Sequence, residues 1–501
     1  MSLSKEAYQA LQSIVGVERV SDDPAINKAE HRGRKLGSTL PPACCILPES
    51  TEEVQAIVKV CNRYRLPFAA TVTNPPPGRE RENLVYIDLR RMTKFEIDED
   101  NLYAIVEPGV VFTALQGELF KRGLVTFVCG AGGNCSVLAN TINIGEGPMS
   151  YRYGDRGYRR VLAVEWVTTD GEMLRLGTRS TSKDYFGGEG PGPDLRGLLV
   201  CSSLVSPTIK GIVTKIGVRV FPFISEKLES SGEPPATTLL LPANRFKWYN
   251  IIFPTKKAAV DTMYEIAKCE LGLIVNTIPP SFFAMARVRS TVGQTGLAGF
   301  LDYWNNTELP MIRQNPQQTT VRVLLYGIGS DKRLAYEEKV LLDICAEFGG
   351  TARPSKRLQD ESNFMASDAI VSNVSGGGTF NFILFESLDH GLKTGEIVYD
   401  CVKKYIPPVL EDYGTTHWLV GYEMCHICKN ENIRNALTRD EEKLASFTQD
   451  CQHAFLDIGG CPTTPDPKVY GKAWGNYPEK DRKFKQLLDP NDLCPEVSTM
   501  G

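Results

Sequence analysis

Several short stretches of this 501-residue chain carry residue types suited to chemistry. Ala139-Asn140-Thr141-Ile142-Asn143-Ile144-Gly145-Glu146-Gly147-Pro148 sets small residues among amides and hydroxyls. Small residues let a ligand approach the backbone closely, and Asn and Thr add donors, so such a stretch can cradle a diphosphate. The same composition also suits a loop of tight turns. Met285-Ala286-Arg287-Val288-Arg289 places two arginines on one face of a strand, where they bind a carboxylate or form a solvated basic face. Glu423-Met424-Cys425-His426-Ile427 holds a histidine beside a thiol, while His417 and His453 read as surface or structural. Cys425 and Cys428 make one CxxC with no second one to complete a zinc site. No GxxxxGK[ST] is present, and no GxGxxG follows a strand.

Composition narrows the classes. Apolar residues make up 42% and charged residues 23%, ordinary for a globular chain. Lys+Arg is 56 and Asp+Glu is 60, so the balance lacks the basic surface that nucleic-acid binding needs. No apolar run reaches the roughly 18 residues of a membrane span. The first twenty residues lack the basic and apolar regions of a secretory signal. The 14 cysteines are scattered, and vicinal Cys44-Cys45 is poorly placed for a relaxed disulfide. Reduced, mostly buried thiols in a cytoplasmic protein are the expectation.

The elements that must position these groups alternate. Ser50-Thr51-Glu52-Glu53 reads as an N-cap with acids in the first turn, ahead of the apolar face Val54, Ile57, Val58 and Cys61. Strands at Leu66–Ala70 and Leu84–Leu89 complete a βαβ-like opening. A strand at Tyr103–Val106 and a helix at Phe112–Phe120 follow. Val161–Thr168 and Met173–Leu176 read as a hairpin, and Gly211–Phe221 as a strand. Composition changes after about residue 225, with Ser230–Pro235 as a polar linker. Beyond it, strands and helices recur at Trp248–Phe253, Lys257–Cys269, Val321–Gly327, Tyr336–Phe348 and Thr379–Phe385.

Order and spacing add more. Val85-Tyr86-Ile87-Asp88-Leu89-Arg90-Arg91-Met92 is followed by Val106-Glu107-Pro108-Gly109-Val110, Ala139-Asn140-Thr141 and Tyr153-Gly154-Asp155. Then come Asp170 to Gly177, Gly192-Pro193-Asp194-Leu195-Arg196-Gly197-Leu198, Gly211 to Gly217 and the closing Phe484 to Leu493. Taken together this resembles the vanillyl-alcohol oxidase / p-cresol methylhydroxylase flavoprotein family, whose wider superfamily includes the D-lactate and glycolate dehydrogenase flavoproteins. The resemblance implies an α+β fold: a two-subdomain FAD-binding domain and an α+β cap domain with an antiparallel sheet. The expected domains are 1–225 for FAD, 226–449 for the cap, and a segment 450–501 returning to the first. It also implies FAD, approached by Thr71, Thr73, Asn74 and Gly78 of the first loop. Ala139, Asn140 and Thr141 would lie along the cofactor, and the backbone of Gly211, Ile212 and Val213 would meet one of its ends. Asp155 would be the catalytic acidic residue near the flavin, and His426 would touch or tether it.

Departures from the family pattern matter too. Pro75-Pro76-Pro77 replaces glycines of the first loop and removes three N–H donors. Gly459-Gly460-Cys461-Pro462-Thr463-Thr464 lacks the tyrosine and arginine that would face a phenolate, so a 4-hydroxybenzyl substrate is not expected. Of the metal-binding histidines of the dehydrogenases only His426 has a counterpart, with Asp466 as a substitute, so no metal is expected. The leading expectation is an FAD-dependent oxidoreductase that takes a hydride equivalent from a small alcohol, hydroxy acid or aromatic side chain. Its electron acceptor would be oxygen, a quinone or a redox protein, and it would be a homo-oligomer or a subunit of a complex. The alternative is a catalytically reduced flavin-fold subunit of a larger electron-transfer or assembly complex.

Overall fold

The computed structural model describes residues 3–31, 41–73, 81–129, 133–142, 147, 149–154, 160–186, 190–192, 194–199, 210–223, 227–234, 238–239, 241–281, 296–355, 378–436, 440–462 and 465–494. The expected Asn74, Gly78 and Asp155, together with Arg287 and Arg289, lie outside them.

Ser50 caps the helix Thr51–Tyr64 by accepting from Glu53 N at 3.2 Å, and Arg65 ends it in the left-handed region. Its buried face, Val54, Ile57, Val58 and Cys61, packs with Leu11 and Val15 of the helix Lys5–Val15. Both helices cover a four-stranded sheet, in spatial order Val20–Ser21, Cys44–Ile46, Val85–Asp88 and Phe68–Thr71. The last three strands are parallel, as a βαβ opening requires.

A second sheet is antiparallel, in the order Phe95–Asp98, Tyr103–Val106, Ile212–Arg219, Val161–Val167 and Met173–Leu176. The helix Phe112–Phe120 has most of its residues buried, and joins this core through Phe112, Leu115 and Leu119.

The third sheet has seven antiparallel strands, in the order Thr351–Pro354, Phe246–Phe253, Thr319–Tyr326, Ile274–Ile278, His417–Tyr422, Ile427–Ala436 and Gly378–Glu386. One face carries the helices Lys256–Lys268, Asp331–Glu347 and Leu388–Val402. Alternation makes this possible: Tyr249, Ile251, Val275, Val321, Val323 and Leu419 all point to that face and form its core with Ala259, Met263 and Leu341. The architecture is thus α+β with an antiparallel cap. Among the described residues no helix is long and apolar enough to cross a membrane.

Leu228 N still bonds Phe120 O of the first lobe at 3.1 Å, past residue 226. The helix Glu441–Asp457 runs through residue 450 and stays with the cap, burying Phe447, Cys451 and Phe455 against Val398 and Val402. The chain rejoins the first lobe near Leu488, whose carbonyl accepts from Thr169 Oγ1 at 2.6 Å. Composition cannot mark such a point, because an amphipathic helix reads alike on either lobe. The rejoined segment is anchored by buried Lys210, whose Nζ donates to Cys494 O at 2.5 Å and lies 3.5 Å from Asp489 Oδ2. Phe68 N bonds Leu493 O at 2.8 Å, and Leu493 and Cys494 complete the first core.

His417 is buried under the cap helices rather than on the surface. Burial, and then the nearby Lys256 ammonium, pull it down to about 3, and burial brings Lys256 itself to about 8. The Arg434–Asp412 ion pair lies in the same buried layer.

Two outcomes are expected. Lys210→Ala leaves Asp489 buried without its cation, which typically costs about 3–5 kcal/mol, so chemical denaturation should begin markedly earlier than in the parent. For His417, the unfolded chain binds a proton between pH 6.5 and about 3 that the folded chain refuses. Stability therefore falls as pH drops through that window, by up to about 1.4 kcal/mol per pH unit from this group. His417→Gln should flatten the acid limb of stability against pH. An unchanged slope would show that the imidazole is protonated in the fold.

Candidate functional site

Strand Phe68–Thr71 ends at the carboxyl edge of the parallel sheet, where open α/β sheets place ligands. Thr73, two residues on, accepts from Ser136 N at 3.3 Å through its hydroxyl. Ser136 then starts the helix Val137–Ile142: its Oγ accepts from Ala139 N at 3.1 Å and donates to Pro108 O at 2.6 Å. Asn140 Nδ2 donates back to Ser136 O, and Thr141 Oγ1 to Val137 O. Val137, Leu138 and Ile142 pack on Val213 and Ile216, which brings the helix against the start of strand Ile212–Arg219. There Gly211 has φ +99°, and a Cβ would lie 2.4 Å from Val167 O. Only glycine lets these two backbones come so close.

Thr73, Ala139–Thr141 and Gly211–Val213 therefore converge. Their offer is mostly main chain: Thr141 is buried and bonded within its helix, and Ile212 and Val213 turn into two separate cores. Thr71 is buried opposite Asp88 in the sheet. A Cβ on Gly147 would sit 1.7 Å from Val128 O, so here too backbone lies directly on backbone. Such a glycine-lined, main-chain-rich junction suits a nucleotide cofactor held through backbone groups and a few hydroxyls.

His426 stands elsewhere in character. It is exposed, in the turn joining His417–Tyr422 to Ile427–Ala436, and not a core histidine. Glu423, Met424 and Cys425 have φ of 47°, 53° and 59° in succession, a conformation that costs roughly 1–2 kcal/mol per residue. The turn is held by Glu423 N to Ser150 O at 3.0 Å and Met424 N to Tyr151 O at 2.9 Å. Cys425 is buried and Cys428 pairs into the sheet, so neither thiol faces a ligand pair. The helix Ser150–Tyr153 is gripped from the other side, where Arg152 donates to Gly272 O and Glu270 O at 2.7 and 2.6 Å. The residues that lead into Asp155 are thereby clamped between the lobes.

The cap sheet adds residues that the sequence reading did not pick. On the face opposite the helices, Asn250, Arg322, Asn276, Val420 and Lys429 are directly opposed across five strands. Arg322 lies with its guanidinium carbon 4.3 Å over the Trp248 ring. Lys429 lies 5.2 Å over Trp418 and 2.6 Å from Glu431. All are buried except Asn250. The signal was present: Arg322 interrupts the apolar run Val321-Arg322-Val323-Leu324-Leu325, and charges are almost never buried without purpose. At the edge of this row, Trp248, Ile274, Leu324 and Tyr326 pack on Phe120, Met149 and Phe223 of the first lobe. The row thus looks toward the first lobe. Among the described residues no cluster of three or more His, Cys, Asp or Glu could hold a metal.

Residues 42–177 match the family described as FAD binding domain. The chain is 28% identical over 222 residues to a probable mitochondrial D-lactate dehydrogenase of Danio rerio, covering 43% of each. It is 25% identical over 356 residues to the 4-cresol dehydrogenase [hydroxylating] flavoprotein subunit of Pseudomonas putida, covering 66% of this chain and 61% of that one. The alignments thus span less than two thirds of the length of these relatives. Among solved structures, p-cresol methylhydroxylase with substrate bound superposes with a TM-score of 0.75 at 16% identity, over 99% of this chain and 96% of that one. Alkyldihydroxyacetonephosphate synthase superposes with a TM-score of 0.69 at 15% identity, over 98% and 86%.

Gly211→Ala should test the junction. Its Cβ would meet Val167 O and Trp166 Nε1 at 2.4 and 2.7 Å in a strained backbone region, so the strand must shift. The expected result is a lower melting temperature together with less FAD per purified chain. Unchanged FAD content in a destabilised protein would separate the strand start from the cofactor.

Proposed function

We propose that this chain, whose residues 42–177 belong to the FAD binding domain family and whose fold is that of p-cresol methylhydroxylase, is an FAD-dependent oxidoreductase acting on a small organic substrate. The single observation that carries the reading is the junction itself: Thr73, the helix Val137–Ile142 and Gly211 meet within the matched domain and its neighbouring strand.

When bound, FAD supplies the two-electron acceptor for a hydride. The protein does the rest. Main-chain groups at Thr73, Ala139–Thr141 and Gly211–Val213 hold the cofactor without a counter-charge to desolvate. Asp155 takes the substrate's proton in this reading, because the clamp on Ser150–Tyr153 fixes the chain just before it. The aromatic seam of Phe120, Phe223, Phe246 and Tyr326 keeps water from entering between the lobes at that side. His426, exposed in the turn whose Met424 bonds Tyr151, is open to attachment. The electron acceptor is oxygen, a quinone or a redox protein, and the protein works as an oligomer or within a complex in the cytoplasm.

The purified protein should carry FAD close to one per chain. Anaerobic addition of hydroxy acids or alcohols should bleach the flavin absorbance, whereas 4-alkylphenols should do so slowly. Colour left in an acid precipitate would place a covalent link, to be traced to His426 by peptide mapping. A colourless protein that takes up no added FAD would overturn the enzyme reading and favour a catalytically silent subunit.

A further inference from the structure

Phe484, which opens the closing segment of the chain, lies on a helix whose packing is reversed. In the helix Tyr477–Leu488 only Lys485 is buried, with its ammonium 2.7 Å from Asp481 Oδ2. The large apolar side chains face outward instead: Leu487 is 79% exposed, Tyr477 59% and Phe484 40%. A surface helix ordinarily turns such residues to the core, because packing of the apolar face supplies most of its stability. Tyr477, Lys480, Phe484 and Leu487 follow one another at i, i+3, i+7 and i+10, so they form one row along the helix. At 1.5 Å per residue that row is about 15 Å long. Trp474 stacks on Tyr470 with centroids 5.8 Å apart and meets Tyr477 edge-on at the start of the row.

Charge is a second, independent observation. From Lys468 to Leu488 the chain carries six cations and two carboxylates, an excess of positive charge in a protein whose net charge is -4. Glu479 pairs with Lys483 at 2.6 Å and Asp481 with Lys485, which uses both carboxylates. The side chains of Lys468, Lys472, Lys480 and Arg482 are exposed and reach no carboxylate among the described residues. Three apolar side chains on one helix fall far short of the roughly 800 Å² that each partner buries in a standard protein interface. They suffice for a helix that lies flat on a bilayer, where apolar side chains enter the headgroup boundary and cations meet lipid phosphates. Lys480, inside the row, can lay its stem along the acyl chains and keep its ammonium at the phosphates. Tyrosine and tryptophan at one end of the row are the residue types that favour the same boundary.

We propose that the helix Tyr477–Leu488 is a docking surface for an anionic phospholipid bilayer. Tyr477, Phe484 and Leu487 enter the headgroup boundary, and Lys472 and Lys480 contact the phosphates. The attachment is peripheral, and it is independent of the chemistry proposed for the cofactor junction.

The test uses the purified protein with whatever FAD it carries. It is mixed with vesicles of phosphatidylcholine alone or with about 30% phosphatidylglycerol added, and the bound fraction is read by flotation. At low salt the anionic vesicles should hold the protein at least about tenfold more tightly, and the gain should shrink as salt screens the lysines. Leu487→Glu should bring binding down to the level of the neutral vesicles. Melting temperature and FAD content should stay at the parent values, since this side chain is mostly in solvent. Lys480→Glu should weaken anionic binding several-fold. Leu487→Trp should be quenched by lipids brominated on their acyl chains, beyond the quenching of the parent's own tryptophans. Should Leu487→Glu lower the melting temperature, the Lys480→Glu and Leu487→Trp readings still decide. No binding to anionic vesicles, equal binding to both kinds, or binding untouched by Leu487→Glu and Lys480→Glu would overturn the proposal. So would a dimer, seen without vesicles, that Leu487→Glu dissolves, because a second copy would then cover the row.

Discussion

Two backbone hydrogen bonds, from Glu423 and Met424 to the carbonyls of Ser150 and Tyr151, fix how the lobes face one another. They are made by a turn that is costly in isolation, with three successive non-glycine residues in the left-handed region. Such strain persists only where surrounding contacts over-determine it. Here the contacts are Tyr151, fully buried in the cap core, and Cys425 against Met263 O. Glycine at 421 is needed for the same fit, since a Cβ there would meet Cys425 Sγ at 2.6 Å. With Arg152 bonded to Gly272 and Glu270, the helix Ser150–Tyr153 belongs to one lobe by sequence and to the other by packing. The first lobe and the cap sheet are thereby held in a single frame.

That frame explains what could be read in the sequence. The helix Phe112–Phe120 and the strands around Tyr103, Val161 and Trp248 followed from local pattern, because burial on one face writes its period into the chain. The family resemblance came from ordered short motifs, each of which marks a close approach of backbones. Gly211 is an instance: its type follows from a 2.4 Å limit against Val167 O. The cap face was harder. Arg322, Asn276 and Lys429 are far apart in sequence and meet only through strand register, which no local window contains. Arg287 and Arg289 stood out because they are neighbours in sequence, a weaker reason than neighbours in space. His426 stood out by motif, yet it sits at a solvent-exposed turn.

The two faces of the cap sheet also divide labour. Toward the helices, apolar residues alternate with a buried ionic layer at His417, Lys256, Arg434 and Asp412. Toward the first lobe, an aromatic seam gives way to cations lying on indole rings. A strand has only two sides, so Thr319–Tyr326 must serve both: Val321 and Val323 build the core while Arg322 between them serves the other face. A one-residue slip in register would exchange the two roles at once.

The late return of the chain near Leu488 has a consequence for biosynthesis. Leu493 and Cys494 complete the core that begins with Ala7 and Leu11, and Lys210 waits for the carbonyl of Cys494. On the ribosome, the first lobe emerges early but lacks this last piece until the whole cap has been made. At about 5–20 residues per second that delay lasts tens of seconds, with Phe68 N–H and the Lys210 ammonium still seeking their acceptors. The cap, whose own sheet and helices are contiguous in the chain from Phe246 to Asp457, can close ahead of the lobe that precedes it.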